Sequence, residues 1–188
     1  VKFVRSYWHT QQFIQLVPDP PFVTFLAMQG PKNYVVRAMS FSPDSTRLAI
    51  AQSDNSVFVY KLGLEWGDKK SICNKFIQTS PITALVWPLS RPNDFVYGLA
   101  EGKVKIGQLK SNKPQVLYST DVYVVALAAN PDGTGTVSAH LDGSIHRFIF
   151  ADAGGSAHTK IAFHPCVPYA LAWGHHIVVA GNDSQVVF

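Results

Sequence analysis

The sequence is poor in the groups that carry out chemistry or cross membranes. It has two cysteines in 188 residues, Cys73 and Cys166. Neither belongs to a Cys-x-x-Cys pair, which removes the usual zinc-ribbon and dithiol signatures and leaves reduced thiols in a reducing compartment. Charged residues make up 15% of the chain, against roughly 25% in an average domain. That deficit suits a strand-rich protein whose surface is largely covered. No apolar run approaches the roughly 20 residues of a bilayer-spanning helix. No glycine-rich phosphate loop leads into a helix, and no helix of useful length is evident. Val1 to Gly30 lacks the basic start, apolar centre and small cleavage site of a signal peptide. With valine in the first position, the chain reads as cytosolic and as a piece of something longer. The net charge of +4 is mildly basic and does not by itself imply nucleic acid.

What is present is a unit that recurs four times. The copies open on Ala38-Met39-Ser40-Phe41, Ala84-Leu85-Val86-Trp87, Ala126-Leu127-Ala128-Ala129 and Ala170-Leu171-Ala172-Trp173. They close on Val57, Val104, Ile145 and Val186, spaced 47, 41 and 41 residues apart. An acid stands three residues before each closing anchor: Asp54, Glu101, Asp142 and Asp183. Short strands at this period predict an all-β fold, a WD40-type β-propeller of about three and a half to four blades from a larger ring.

Residues 1–32 are out of register with the repeats. They read as an irregular segment, with a remnant of a preceding blade, a poorly ordered terminus and a gene-model artefact all left open. Residues 33–188 divide into repeats at about 33–80, 81–122, 123–167 and an incomplete 168–188. Ser42-Pro43-Asp44-Ser45 and Asn130-Pro131-Asp132-Gly133 are turn chemistry. Val57, Val59 and Leu62 alternate with Phe58, Tyr60 and Lys61, as in a strand with two unlike faces. A polar insert, Gly63 to Lys70, lengthens the first repeat. The glycine- and alanine-rich Ala151 to Ala157 reads as a surface loop. The last repeat stops before a fourth strand, which leaves raw sheet edges, so the isolated chain is expected to be unstable or sticky.

Candidate chemistry is thin. His175 and His176 are adjacent and point to opposite faces of a strand. His164 and Cys166 flank Pro165, with no further ligand to name. Ser138, His140 and Asp142 alternate along one strand. Residues at that spacing lie about 7 Å apart, too far for a hydrolytic relay, so a local structural role is expected. Val104 and Ile106 alternate inward, leaving Lys103 and Lys105, with Lys110 and Lys113, as a solvated face rather than a nucleic-acid track. The expectation is therefore no catalytic residue, no cofactor and no metal. Trp66, beside Asp68, Lys69 and Lys70 in the polar insert, is the candidate partner anchor, because tryptophan is enriched at binding hot spots. The competing role is to cover its own blade.

Asp142-Gly143-Ser144-Ile145 after Val137-Ser138-Ala139-His140 is similar to the WD40 pattern, and Asp54, Asp142 and Asp183 stand at its turn aspartate. Glu101 replaces it in the second repeat. The closing Trp-Asp dipeptide is missing throughout: Tyr60 and Phe148 hold its aromatic slot in two repeats and Gly107 in another. A narrower resemblance lies on top. Tyr34 to Thr46, Trp66 to Lys70 with Ile72 to Ser80, Gly98 to Val104, and His164-Pro165-Cys166 with Pro168 to Trp173 resemble the N-terminal propeller of the intraflagellar transport protein 172 family. The resemblance covers about Asn33 to Val187. It implies a non-catalytic scaffold of the intraflagellar transport complex B, located in the cilium or flagellum (axoneme and basal body) and the cytoplasm. It implies other complex B subunits as partners, including one with a calponin-homology domain, with no nucleic acid and no small-molecule substrate, and it allows peripheral membrane contact. The alternative is an adaptor of another kind on the same fold, for a membrane coat or nucleic acid, which strongly salt-dependent binding would reveal.

Overall fold

The computed structural model describes residues 34–63, 68, 71–151, 155–183 and 186–187. The chain divides into two compact units, Val1–Val35 and Val36–Phe188, and all the described strands lie in the second. No helix occurs among the described residues. The first sheet runs β1 (Val36–Phe41), β2 (Arg47–Gln52), β3 (Ser56–Lys61) and β4 (Ser71–Ile77). The second runs β5 (Ile82–Val86), β6 (Asp94–Leu99), β7 (Lys103–Gln108) and β8 (Lys113–Ser119). The third runs β9 (Val124–Ala129), β10 (Gly135–His140), β11 (Ser144–Ile149) and β12 (Ala157–Phe163). The fourth holds β13 (Ala170–Trp173), β14 (Ile177–Ala180) and β15 (Val186–Val187).

Every sheet is an antiparallel meander in chain order. The first strands sit side by side, β1 against β5, β5 against β9 and β9 against β13. The sheets therefore stack face to face, fanned about their inner strands, as propeller blades do. The all-β propeller fold expected from the sequence is the fold observed. One detail differs: the stretch read as a loop to Ala157 gives way there to an outer strand, β12, for which the sequence pattern names no strand.

Stacking explains where the alternation rule fails. A strand with one wet face should alternate, yet β3 is buried from Ser56 to Tyr60 and β10 from end to end. Both faces of a middle strand are covered, one by each neighbouring blade. Ala49, Ala51, Val57 and Val59 of the first sheet join Phe95, Tyr97 and Leu99 of the second in one core. The opposite face of the second sheet, Val96, Val104 and Ile106, packs with Val124 and Phe148 of the third. Val104 and Ile106 thus point inward as expected, whereas Phe58 and Tyr60 are buried as well.

The turns are built by side chains. In the β1–β2 hairpin, Asp44 Oδ1 accepts from the Ser42 hydroxyl at 2.5 Å and from Thr46 N–H at 3.1 Å. These bonds hold its carboxyl below the usual range. In the β10–β11 turn, Gly143 has φ of 87°, where an L side chain is strained. A Cβ there would also strike the carbonyl oxygen of His164. Gly143→Ala is expected to cost about 1–3 kcal/mol, read as a lower midpoint in denaturant unfolding; an unchanged midpoint would show that the turn can rearrange freely.

Candidate functional site

One end of the sheets carries a regular rim of loops. In each of the three four-stranded blades, the turn between the second and third strands is stapled to the residue that follows the outer strand. Asn55 O accepts from Gln78 N at 2.8 Å, Gly102 O from Thr120 N at 3.2 Å, and Gly143 O from His164 N at 2.8 Å. Further bonds tie these turns to the inner-strand connections, Ala100 N to Pro81 O at 2.9 Å and Leu141 N to Tyr123 O at 3.0 Å. The rim is therefore pinned by backbone bonds rather than free loops.

The predicted turn acids sit on this rim with different partners. Asp54 Oδ1 accepts from Ser56 N–H at 3.1 Å. Asp142 Oδ1 accepts from the Ser144 N–H at 2.9 Å and hydroxyl at 2.6 Å. Partial burial opposes its ionisation, but the Ser144 bonds prevail and the carboxyl lies below its usual range. Glu101, the substitute, pairs with Lys103 at 3.1 Å, while Gly102 takes the positive φ of the turn. Asp183 lies 3.9 Å from the buried His164 Nε2. Replacing Asp142 by alanine removes two bonds to a charged acceptor and is expected to cost about 1–2 kcal/mol, measurable as a lower unfolding midpoint.

Exposed apolar groups gather along the same rim: Tyr123, Leu141, Phe163 and Tyr169, the last two each 63% exposed. Two of the four lysines expected to form a solvated face have side-chain partners. Lys103 pairs with Glu101, and Lys105 Nζ donates to Gln78 Oε1 at 2.8 Å. Of the proposed partner anchor, Asp68 is exposed, whereas Trp66, Lys69 and Lys70 lie outside the described residues.

The Ser138–His140 expectation needs correction. The two side chains were placed too far apart to bond, yet Ser138 Oγ and His140 Nε2 are 2.7 Å apart. Both residues are fully buried, and their side chains share one face of β10. The pair is still not a catalytic relay. His140 Nδ1 lies 2.9 Å from the Val122 carbonyl rather than against a carboxylate, and Ser138 Oγ accepts from the Tyr118 hydroxyl at 2.7 Å. A nucleophile consumed by structural bonds and closed to solvent has no substrate to attack.

That network extends across two blades, and the sequence reading did not foresee it. Tyr118 of β8 stacks on His158 with ring centroids 4.1 Å apart, and His146 Nδ1 meets His158 Nε2 at 2.9 Å. Burial pushes the Tyr118 phenol up to about 12 and His146 down to about 4, the latter helped by the neighbouring His140, His158 and Lys160. Nothing in the linear spacing links Tyr118 to His158; the only hint was the concentration of histidines in one repeat.

These features define a WD40-repeat protein, built as stacked blades with a loop rim and acid-led turns. Residues 22–61 match the family described as WD domain, G-beta repeat. The chain is a homologue of intraflagellar transport protein 172. It is 54% identical over 160 residues to the rat protein named intraflagellar transport protein 172 homolog, covering 84% of this chain and 9% of that protein. It is 53% identical over 168 residues to intraflagellar transport protein 172 of Chlamydomonas reinhardtii, covering 85% and 9%. It is 44% identical over 162 residues to intraflagellar transport protein osm-1 of Caenorhabditis elegans, covering 86% and 9%. The chain thus spans about 9% of the length of these curated relatives.

Proposed function

We propose that this chain is a non-catalytic interaction platform of intraflagellar transport, acting within complex B and supporting ciliary transport and cilium assembly. The observation that carries this reading is the match of about half the aligned residues, over 84% of the chain, to proteins named for intraflagellar transport. The geometry supports it. A rim pinned by backbone bonds offers a rigid surface, and its exposed Tyr123, Leu141, Phe163 and Tyr169 supply apolar contacts of the kind that protein interfaces bury. The polar groups that resemble catalytic ones are spent inside the sheets. The proposed partners are other complex B subunits, among them the calponin-homology-domain subunit, with the Gly63–Lys75 insert and Trp66 as a contact. The proposed locations are the axoneme, the basal body and the cytoplasm.

The test is a segment exchange. In a ciliated cell, the corresponding segment of its own transport protein is replaced by this one. Restored cilium length and tip-to-base movement of the tagged protein support the proposal. A stable, expressed chimaera that stays out of the cilium overturns it. Binding of the purified calponin-homology domain, weakened in Trp66→Ala, tests the partner separately.

A further inference from the structure

We propose that His164, Cys166 and Asp183 form a binding site for a zinc-class divalent cation. Two loops bring them together. His164 and Cys166 follow β12, and Asp183 follows β14. One ligand atom from each residue lies within 4.8 Å of the other two. The sequence had offered only the first two residues; folding adds the third.

The orientation of the imidazole favours a cation. His164 Nδ1 is engaged by its own loop, 3.0 Å from the Cys166 carbonyl oxygen, 3.3 Å from the Cys166 nitrogen and 3.5 Å from Cys166 Sγ. In the tautomer that donates Nδ1–H to the carbonyl, the shortest of these contacts, Nε2 carries a lone pair. That atom is buried in a residue only 2% exposed and has no hydrogen-bond partner. It faces Asp183 Oδ1 at 3.9 Å. A buried lone pair without a partner is unfavourable, and a cation held between it and the partly exposed Asp183 carboxylate satisfies it. A backbone carbonyl that fixes the opposite ring nitrogen is the usual support for an Nε2 ligand.

The donor set selects the metal. Thiolate, imidazole and a single carboxylate suit zinc and cobalt(II), whereas magnesium and calcium require more oxygens. Metal–ligand bonds of about 2.0–2.3 Å place donor atoms roughly 3.3–3.7 Å apart, so modest rotations of Asp183 and Cys166 close the site. Gly181 leaves the thiol its room: a Cβ there would strike Cys166 Sγ and come within 3.0 Å of the His164 ring. Three protein ligands leave the fourth position to water.

The natural full-length chain, stripped with a chelator, is titrated with cobalt(II) and then zinc. The expected result is a thiolate-to-cobalt charge-transfer band that saturates and is abolished by zinc. Cys166→Ser should remove the band and weaken zinc binding beyond the roughly 10–100-fold of supporting-residue changes. Asp183→Asn should weaken binding as well, and Cys73→Ser should change neither. Absence of a thiolate band in the unmutated chain overturns the proposal, as does a band that survives in Cys166→Ser. The unmutated titration decides the matter even if a variant fails to fold.

Discussion

Phe95→Ala is expected to destabilise the propeller by about 3–5 kcal/mol and to lower the melting temperature by roughly 10 °C. Phe95 is fully buried between the first two blades. Its ring meets Phe76 of the first blade edge-on at 5.3 Å, and it packs on Trp87 and Tyr97, each at 5.7 Å. Across the strand it pairs with Gly107, and a Cβ on that glycine would run into the Phe95 ring. This is the repeat in which the aromatic slot of the third strand is empty. In the first blade Leu48 pairs with Tyr60, and in the third Thr136 pairs with Phe148. The second blade has moved the aromatic to the other partner of the same pair, so one ring still fills the gap between sheets. A two-residue exchange tests that account. Gly107→Tyr alone should clash and destabilise, whereas Phe95→Leu with Gly107→Tyr restores the arrangement of the first blade and should recover most of the loss. Independent, additive losses would refute the exchange.

That pair also marks how far the sequence could be read. The repeat period, the acid-led turns and the all-β class were visible because they are local. They depend on turn residues and on short apolar runs that any blade must have. The position of Gly107 in an aromatic slot was visible too, but not its compensation, which lies across a strand pair. Burial of Phe58 and Tyr60 was not legible, since alternation predicts a wet face and only the stack of blades removes it. The Tyr118–His158 contact and the approach of Asp183 to His164 were hidden for the same reason: both join groups from different loops or blades. The short Ser138–His140 distance was not legible because backbone spacing was taken as side-chain spacing, although local bonding of this serine or histidine is what the pattern predicts. The rim stands between these cases. Its acids were read from the sequence, while its exposed Tyr123, Leu141, Phe163 and Tyr169 emerged only once the strands beneath them were placed.

Acidification from about pH 7 to about pH 5 is expected to remove roughly 1–2 kcal/mol of stability, chiefly through His146 at the contact between the second and third blades. Burial is the chief cause that lowers His140, His146 and His158 below the ordinary 6.5, with His146 taken to about 4. Asp142 opposes the shift at His140 and His146, and Lys160 reinforces it at His146. The folded state therefore holds these rings neutral, while the unfolded chain takes up protons as the pH falls below 6.5. Stability is full above that value and declines toward about pH 4. Geometry gives the same sign. A bond of 2.9 Å between His146 Nδ1 and His158 Nε2 needs one N–H and one lone pair, so both rings cannot be charged and keep it. The Tyr118 ring that joins the blades rests on this pair. Asp44 and Asp142 do not confuse the window, because both carboxyls lie below 3.8 and titrate at more acidic pH. Melting temperature followed against pH should slope in the unmutated protein and flatten in the His146→Gln, His158→Gln double variant. An equally steep slope in that variant would move the origin of acid sensitivity elsewhere, and a flat profile in the unmutated protein would mean that the blade interface opens to water and protonates without strain.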